Sequence, residues 1–215
     1  MTSRDPAAMS SDLALSSDLD DQKAELRKVQ TAIRKAASVD AGAVAAAMAD
    51  CAADIRIAFG LADGDIVAGY WPIKTELDPR PLMAALTAGG MAGALPATPT
   101  PGEPLVFHRW QEGDEVIAGL YGTSEPRSDA PVCAPTLVLV PMLAFDDDGF
   151  RLGYGGGFYD RSLAQLRDAG HTVHALGIAY DSQWVAEVPI GPHDARLDGV
   201  LTGSGLFLPQ EGGGH

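Results

Sequence analysis

Cysteine is scarce in this 215-residue chain, and its sequence contains no long apolar run. Cys51 and Cys133 stand alone without the spacing of a metal site, and no secretory signal accompanies them. No run approaches the roughly 20 apolar residues that a membrane-spanning helix needs. We therefore expect reduced thiols rather than a disulfide, in a cytoplasmic protein.

Basic residues are also few: 15 lysines and arginines face 29 acidic residues, for a formal net charge of -14. Nucleic acids and anionic membranes attract basic surfaces, so this charge argues against both as partners. A small anionic ligand needs only local positive charge and is not excluded. The sequence leaves a monomer and a homodimer equally open.

The two ends of the chain differ from its middle. Residues 1–20 carry several acids and no continuous apolar segment, which fits neither a secretory signal nor an arginine-rich transit peptide. Residues 209–215 are rich in glycine. We predict both ends to be flexible tails. Because 46% of the residues are hydrophobic, we expect 21–208 to form a single globular domain with a substantial core.

Periodic apolar residues predict alternating strands and helices. An apolar stripe of Leu26, Val29 and Ile33 predicts a helix over 21–37, and an alanine-rich helix over 40–59 would complete an N-terminal helical hairpin. The alternation predicts a three-layer α/β/α domain with a largely parallel central sheet. The predicted strands are 65–71, 105–110, 115–120, 136–141, 173–180 and 199–202, and a turn joins the second to the third. One further helix is predicted to begin at Asp78 and another to cover 159–169. The proline-rich segment 96–104 is predicted to be a connector.

A glycine-rich segment, Arg151-Leu-Gly-Tyr-Gly-Gly-Gly-Phe-Tyr-Asp-Arg161, separates a predicted strand from a predicted helix. A glycine loop that opens into a helix presents unpaired N–H groups and the positive end of the helix dipole, which suits phosphate. The segment is not a dinucleotide fingerprint, because Phe158 stands where that motif needs glycine, and it lacks the Gly-Lys-Ser/Thr of a Walker loop. A tight surface turn is the alternative interpretation.

A basic cluster lies on the first predicted helix. Lys23 and Arg27 are one turn apart, and Arg34 follows two turns later on the same face. Such a face can neutralise a triphosphate, and arginine can bind its oxygens bidentately. A solvated helix face is the alternative.

Two further segments place polar and aromatic groups at predicted strand ends. Trp71 and Glu76 follow the strand over 65–71, at the sheet edge where α/β proteins bind ligands. Trp110 ends another strand, where an aromatic residue is commonly core. His193 and Asp194 are adjacent, and on an extended chain they point in opposite directions, which argues against a catalytic dyad.

The glycine segment resembles the signature of the 5-formyltetrahydrofolate cyclo-ligase (methenyltetrahydrofolate synthetase) family, Arg-Leu-Gly-x-Gly-x-Gly-Tyr-Tyr-Asp. Phe158 replaces the first of the two tyrosines. The chain is also similar to that family in the Lys23-x-x-x-Arg27 spacing, in the Glu76-Leu-Asp segment, and in Trp110 ahead of Gly122 to Pro126. The resemblance extends over about 20–203.

The resemblance implies roles for individual residues. Lys23, Arg27 and Tyr159 would be catalytic, Trp71, Glu76, Trp110 and Tyr159 would bind the folate, and Asp160 and Asp194 would bind Mg²⁺. The implied ATP-binding residues are Lys23, Ala24, Glu25, Leu26, Arg27, Arg151, Leu152, Gly153, Tyr154, Gly155, Gly156, Gly157, Phe158 and Tyr159.

The resemblance further implies a reaction. 5-Formyltetrahydrofolate would be cyclised to 5,10-methenyltetrahydrofolate with release of ADP and phosphate, through an iminium phosphate intermediate. Two alternatives remain: a diverged relative that binds nucleotide or folate without turnover, and an acidic protein-interaction domain with an incidental glycine turn.

Overall fold

The computed structural model describes residues 6–209, and the side chains of 17–209. The helices are α1 (Pro6–Ala37), α2 (Ala41–Asp50), α3 (Ala52–Ala58), α4 (Arg80–Ala88) and α5 (Phe158–Asp168). The strands are β1 (Ile66–Ala68), β2 (Ala92–Ala97), β3 (Val106–Arg109), β4 (Val116–Ala118), β5 (Ser124–Pro126), β6 (Leu137–Pro141), β7 (Ala144–Phe145), β8 (Arg151–Leu152), β9 (His174–Ile178), β10 (Gly199–Thr202) and β11 (Gly205–Phe207).

Seven of these strands form the central sheet, in the order β11-β10-β9-β6-β1-β2-β3. The five inner strands are parallel, and the two edge strands β11 and β3 run antiparallel to their neighbours. The predicted largely parallel sheet is confirmed. Outside it, β4 pairs with β5 and β7 with β8 in two short antiparallel ribbons.

Helices cover both faces of the sheet. In β6, Leu137 and Leu139 pack against buried residues of α2, α3 and α4, whereas Val138 and Val140 face the opposite side, where Leu163 of α5 is buried. Successive residues of a strand point to opposite faces, so this apolar strand without polar alternation fits a position between two helical layers. The three-layer α/β/α prediction is confirmed.

The N-terminal helices differ from the prediction. α1 begins at Pro6 instead of Asp21, so residues 6–20 of the expected tail are helical, while 1–5 and 210–215 lie outside the described residues. The predicted hairpin is wrong. A single 3₁₀ turn, Ser38–Asp40, joins α1 to α2, and both flanking residues keep right-handed helical angles, so the chain continues forward. α3 then departs at an angle of 50°.

The strand pairing also corrects the prediction in one place. The strands over 105–110 and 115–120 do not pair with each other. β3 pairs with β2, placing Pro96 opposite Phe107, and β4 pairs with β5. Pro96 lies past Ala94, the last β2 residue in register with β1, so its missing N–H removes no bond to that neighbour.

The cysteines and the longest helices bear on the expected reduced thiols and on the absence of a membrane-spanning run. Cys51 and Cys133 are both free. Among residues 6–209, no single helix combines the length and apolar character needed to cross a bilayer, although the bent pair Ser17–Asp50 and Ala52–Ala58 meets that test jointly.

Candidate active site

A cleft of about 720 Å³ opens at the carboxyl ends of the parallel strands β1, β2 and β6. Parallel sheets commonly bind ligands at this edge, because the loops that follow the strands converge there. Most of the lining comes from five parts of the chain: α1, the 70–76 segment after β1, the 121–124 tip of the β4–β5 ribbon, the 151–160 glycine segment, and Asp194. Pro96, Thr98, Leu105 and Pro141 complete it. Most of the residues predicted to form the site therefore come together in one place.

The glycine segment forms one wall of the cleft and leads directly into α5. Gly155 and Gly157 have φ angles of 97° and 63°, which residues with a side chain rarely adopt. Gly157 is the N-cap of α5, and no described side chain caps the helix. The N–H groups of the first turn are therefore available to an anion, and the helix dipole adds positive potential.

The basic pair on α1 faces this loop. Arg27 Nε donates to the carbonyl of Gly153 (2.9 Å), and its guanidinium lies beside Gly155. Lys23 Nζ forms an ion pair with Asp194 Oδ2 at 2.5 Å. Both side chains line the cleft, so α1 offers it two positive charges one helical turn apart.

Their sequence neighbours do not share that position. Ala24 and Glu25 are exposed outside the lining of the cleft, and Leu26 packs against Leu152 and Val188 in a small apolar cluster. Of the predicted nucleotide-binding residues 23–27, only Lys23 and Arg27 therefore line the cleft. The other three are exposed or packed elsewhere.

Two carboxylates, Asp160 and Asp194, line the cleft. Asp160 Oδ1 accepts hydrogen bonds from Arg151 Nη2 (2.6 Å) and from the backbone N–H of Ala195 (3.0 Å). Asp194 Oδ2 accepts from Lys23 and from the N–H of Gly191 (2.7 Å). Because Ala195 follows Asp194 directly, one backbone segment holds both carboxylates near each other.

The oxygen atoms of this pair have the chemistry to contribute to a metal site. Each carboxylate keeps one oxygen that accepts no hydrogen bond within the described part of the chain. The same residues contain no group of three or more histidine, cysteine, aspartate or glutamate side chains that could hold a metal alone. Two hard oxygen donors suit Mg²⁺ only when other oxygen ligands, such as phosphates, complete its coordination.

Glu76 lines the cleft and is only 9% exposed. Its Oε2 accepts the N–H of Ile73 at 2.9 Å, and its Oε1 lies 3.9 Å from Arg34 Nη1. Burial raises the pKa of Glu76, while the Ile73 N–H, the charge of Arg34 and a hydrogen bond from Tyr154 oppose that increase. A buried carboxylate aimed at a cleft can accept hydrogen bonds from a ligand's N–H groups.

Two tryptophans behave differently although both were predicted to bind substrate. Trp71 lines the cleft, with Arg80 stacked on its ring at 4.4 Å. Trp110 is buried behind it in an edge-to-face contact, with ring centroids 6.3 Å apart, and borders a neighbouring pocket of about 590 Å³ instead. In this structure Trp110 supports Trp71, and its contact with a ligand stays a prediction.

The aromatic pair after the glycines lies at the cleft. Tyr159 lines it, and burial, followed by the charge of Glu76, raises the pKa of its hydroxyl, which keeps the hydroxyl neutral and able to donate. Phe158 also lines the cleft and contacts Tyr121 from the β4–β5 ribbon, with ring centroids 6.2 Å apart.

Arg34 and Lys74 both lie near Glu76, although neither was among the residues predicted to form the site. Arg34 is buried within the site, and Lys74 lies over the ring of Tyr154 at 5.8 Å. The available signal was the shared face of Arg34 and Arg27 on α1. That signal cannot distinguish a solvated arginine from a buried one.

Comparison with known proteins gives a consistent result. The profile of the 5-formyltetrahydrofolate cyclo-ligase family matches residues 20–203. Proteins named 5-formyltetrahydrofolate cyclo-ligase from Escherichia coli K12 and Mycolicibacterium smegmatis are 32% and 31% identical to the chain. The alignments cover 66% and 65% of this chain, and 79% and 74% of those proteins.

Two solved structures share the fold. The 5,10-methenyltetrahydrofolate synthetase of Aquifex aeolicus superposes with a TM-score of 0.68 at 24% identity, covering 90% of this chain and 96% of that one. The corresponding protein of Mycoplasma pneumoniae gives a TM-score of 0.65 at 22% identity, covering 85% and 99%. At these identities the likeness supports the fold alone.

Proposed function

Because the chain belongs to the 5-formyltetrahydrofolate cyclo-ligase family, we propose that it converts 5-formyltetrahydrofolate to 5,10-methenyltetrahydrofolate, with ATP converted to ADP and phosphate. One observation carries this proposal. A single cleft joins a glycine loop and uncapped helix N-terminus, suited to phosphates, to a buried carboxylate and a tryptophan, suited to a pterin.

The first step is a phosphoryl transfer. The formyl oxygen attacks the γ-phosphorus of ATP and the bond to ADP breaks, which leaves an iminium phosphate. Lys23, Arg27 and the N–H groups at the start of α5 would hold the triphosphate and offset the charge that develops on its oxygens. Catalysis of such a step is mainly positioning and electrostatic stabilisation.

The second step closes the ring. N10 attacks the activated formyl carbon, forming the new C–N bond; phosphate leaves with the former formyl oxygen, and N10 loses its proton to solvent. Glu76 would accept hydrogen bonds from the pterin, Trp71 would pack on its flat ring, and the neutral hydroxyl of Tyr159 would donate to the formyl group. No residue of the cleft needs to act as a general base.

Asp160 and Asp194 are the residues that would hold Mg²⁺. When bound together with ATP, the ion would neutralise phosphate charge and orient the phosphates for transfer. Arg151 and Lys23 form ion pairs with these carboxylates. If the carboxylates bound Mg²⁺, both cations would be available to contact phosphate oxygens.

The direct test is the near-ultraviolet absorbance of the methenyl product, a conjugated amidinium. Purified protein is mixed with 5-formyltetrahydrofolate, Mg²⁺ and ATP, and each component is omitted in turn. A rise that requires all three supports the proposed reaction. Binding of nucleotide and folate without any rise would favour the alternative of a diverged, non-catalytic relative.

Gly155 offers a test of the phosphate loop. At its φ of 97°, a Gly155→Ala change is strained, and the new Cβ would lie 3.3 Å from Arg27 Nη2. The strain is on the order of 1–3 kcal/mol, and we expect KM for ATP to rise about 10-fold or more with folate affinity retained.

Gly102→Ala is the matched control for this change. Gly102 has the same φ of 97°, lies outside the cleft, and has no neighbouring atom within 4 Å of its Cβ position. Equal effects of the two substitutions on ATP kinetics would show that general strain, not loop geometry, is responsible.

A further inference from the structure

The two halves of the cleft are connected by a buried polar network. Arg34, 1% exposed, is its centre: Nε donates to Thr75 Oγ1 (3.2 Å), and Nη1 donates to the carbonyl of Met142 (3.3 Å) at the end of β6. Its Nη2 donates to the hydroxyl of Tyr154 in the glycine loop, and Nη1 faces Glu76. The guanidinium of Arg34 therefore connects the segment that contains Glu76 to the glycine segment.

Tyr154 closes this network. Its hydroxyl accepts from Arg34 Nη2, and Arg34 Nη1 lies 3.9 Å from Glu76 Oε1, so one guanidinium links the carboxylate to the glycine loop. The ring of Tyr154 lies under the guanidinium of Arg34, 5.3 Å from its centre, and remains partly exposed. A ligand that orders the loop must also fix this hydroxyl, and with it the orientation and ionisation of Glu76.

We propose that Arg34 and Tyr154 are positioning residues that couple nucleotide binding in the glycine loop to folate binding at Glu76. This inference rests on the proposed function. Coupling between two binding sites is reciprocal, so nucleotide should tighten folate binding by the same factor as folate tightens nucleotide binding. Typical couplings are about 5- to 150-fold.

Protonation gives the network a second signature. The groups facing Glu76 are Arg34 from α1, Lys74 from its own segment, Tyr154 and Tyr159 from the glycine segment, and Tyr70 after β1. The Tyr154 hydrogen bond lowers the pKa of Glu76 against the effect of burial, so its loss raises that pKa further. If folate binding needs ionised Glu76, acidification would then weaken it at a higher pH in a variant without the Tyr154 hydroxyl than in the unaltered protein.

The experiment compares Tyr154→Phe with Tyr180→Phe. Arg34 itself is a poor target, because removing it leaves Glu76 buried without its cation and threatens folding. Tyr180 is a buried tyrosine whose hydroxyl has no hydrogen-bond partner within residues 17–209, so its change to phenylalanine removes an oxygen without breaking a bond. Dissociation constants for 5-formyltetrahydrofolate are measured by calorimetry with and without a non-hydrolysable ATP analogue and Mg²⁺, over a range of pH.

We expect the unaltered protein and Tyr180→Phe to bind folate at least about 5-fold more tightly when the analogue is present. In Tyr154→Phe, the ratio of folate dissociation constants without and with the analogue should fall to within about twofold of unity. The pH below which folate affinity declines should also be higher in this variant. Intact coupling in Tyr154→Phe, or its loss in both variants, would overturn this inference alone. An unaltered protein that binds no folate would overturn the proposed function as well.

Discussion

Replacing Glu76 with glutamine is expected to weaken binding of 5-formyltetrahydrofolate about 10- to 100-fold, because hydrogen bonds to a charged group contribute about 1.5–3 kcal/mol. Glutamine keeps the shape but replaces one acceptor oxygen with a donor and removes the charge. The glycine loop is not altered, so nucleotide binding should persist. Titration of each ligand by calorimetry separates the two effects.

The control for this substitution is Glu125→Gln. Glu125 is buried to the same degree, 8% exposed compared with 9%, and accepts hydrogen bonds from Thr98 N and Thr123 Oγ1, both at 3.0 Å. It lies in β5 and does not line the cleft. Thermal unfolding of both variants verifies folding. Unchanged folate affinity in Glu76→Gln would refute its assignment to the pterin.

Replacing Lys23 with methionine should reduce kcat/KM for ATP about 10²- to 10³-fold, the usual cost of removing one preorganised group that stabilises transition-state charge. The loss has two sources. The triphosphate loses a cation, and Asp194 loses its 2.5 Å ion-pair partner and with it the geometry of the carboxylate pair. Steady-state rates at varied ATP concentration, with saturating folate, give kcat/KM for ATP in both proteins.

Lys28→Met removes the same chemical group from the same helix. The side chain of Lys28 is 79% exposed and has a 3.8 Å surface pair with Glu25, an interaction of little energetic weight. We expect its ATP kinetics to match those of the unaltered protein. If Lys28→Met and Lys23→Met were equally impaired, overall charge would explain the loss, and Lys23 would have no specific role.

The parts of the site that depend on short sequence patterns were predictable. The glycine loop and α5 are contiguous, and one helical turn places Lys23 and Arg27 on the same face, so local geometry alone brings them to the cleft. The burial of β6 on both faces likewise follows from an uninterrupted apolar run.

The interactions that were missed depend on distant parts of the chain. Arg34 and Tyr154 are 120 positions apart, and no local pattern indicates that a guanidinium in an acidic chain is buried against a loop tyrosine. The burial of Trp110 behind Trp71 was not foreseen, because the face of a residue at a strand end depends on its register with the neighbouring strand. That neighbour, β2, was not predicted, because Pro96 lies within its range. The hairpin was expected because an adjacent helix commonly folds back, whereas Ala37 and Ala41 keep helical angles.

The different surroundings of the tryptophans make the cleft optically distinguishable from the rest of the molecule. Trp71 lines the cleft under the guanidinium of Arg80; Trp110 is buried behind it, and Trp184 is exposed, with Nε1 donating to Asp147 at 2.7 Å. An aqueous quencher therefore reaches Trp184 readily and Trp110 poorly, and a ligand in the cleft alters mainly the emission of Trp71. The protein carries its own fluorescent reporter of occupancy, at the point where the flat ring of a folate would lie.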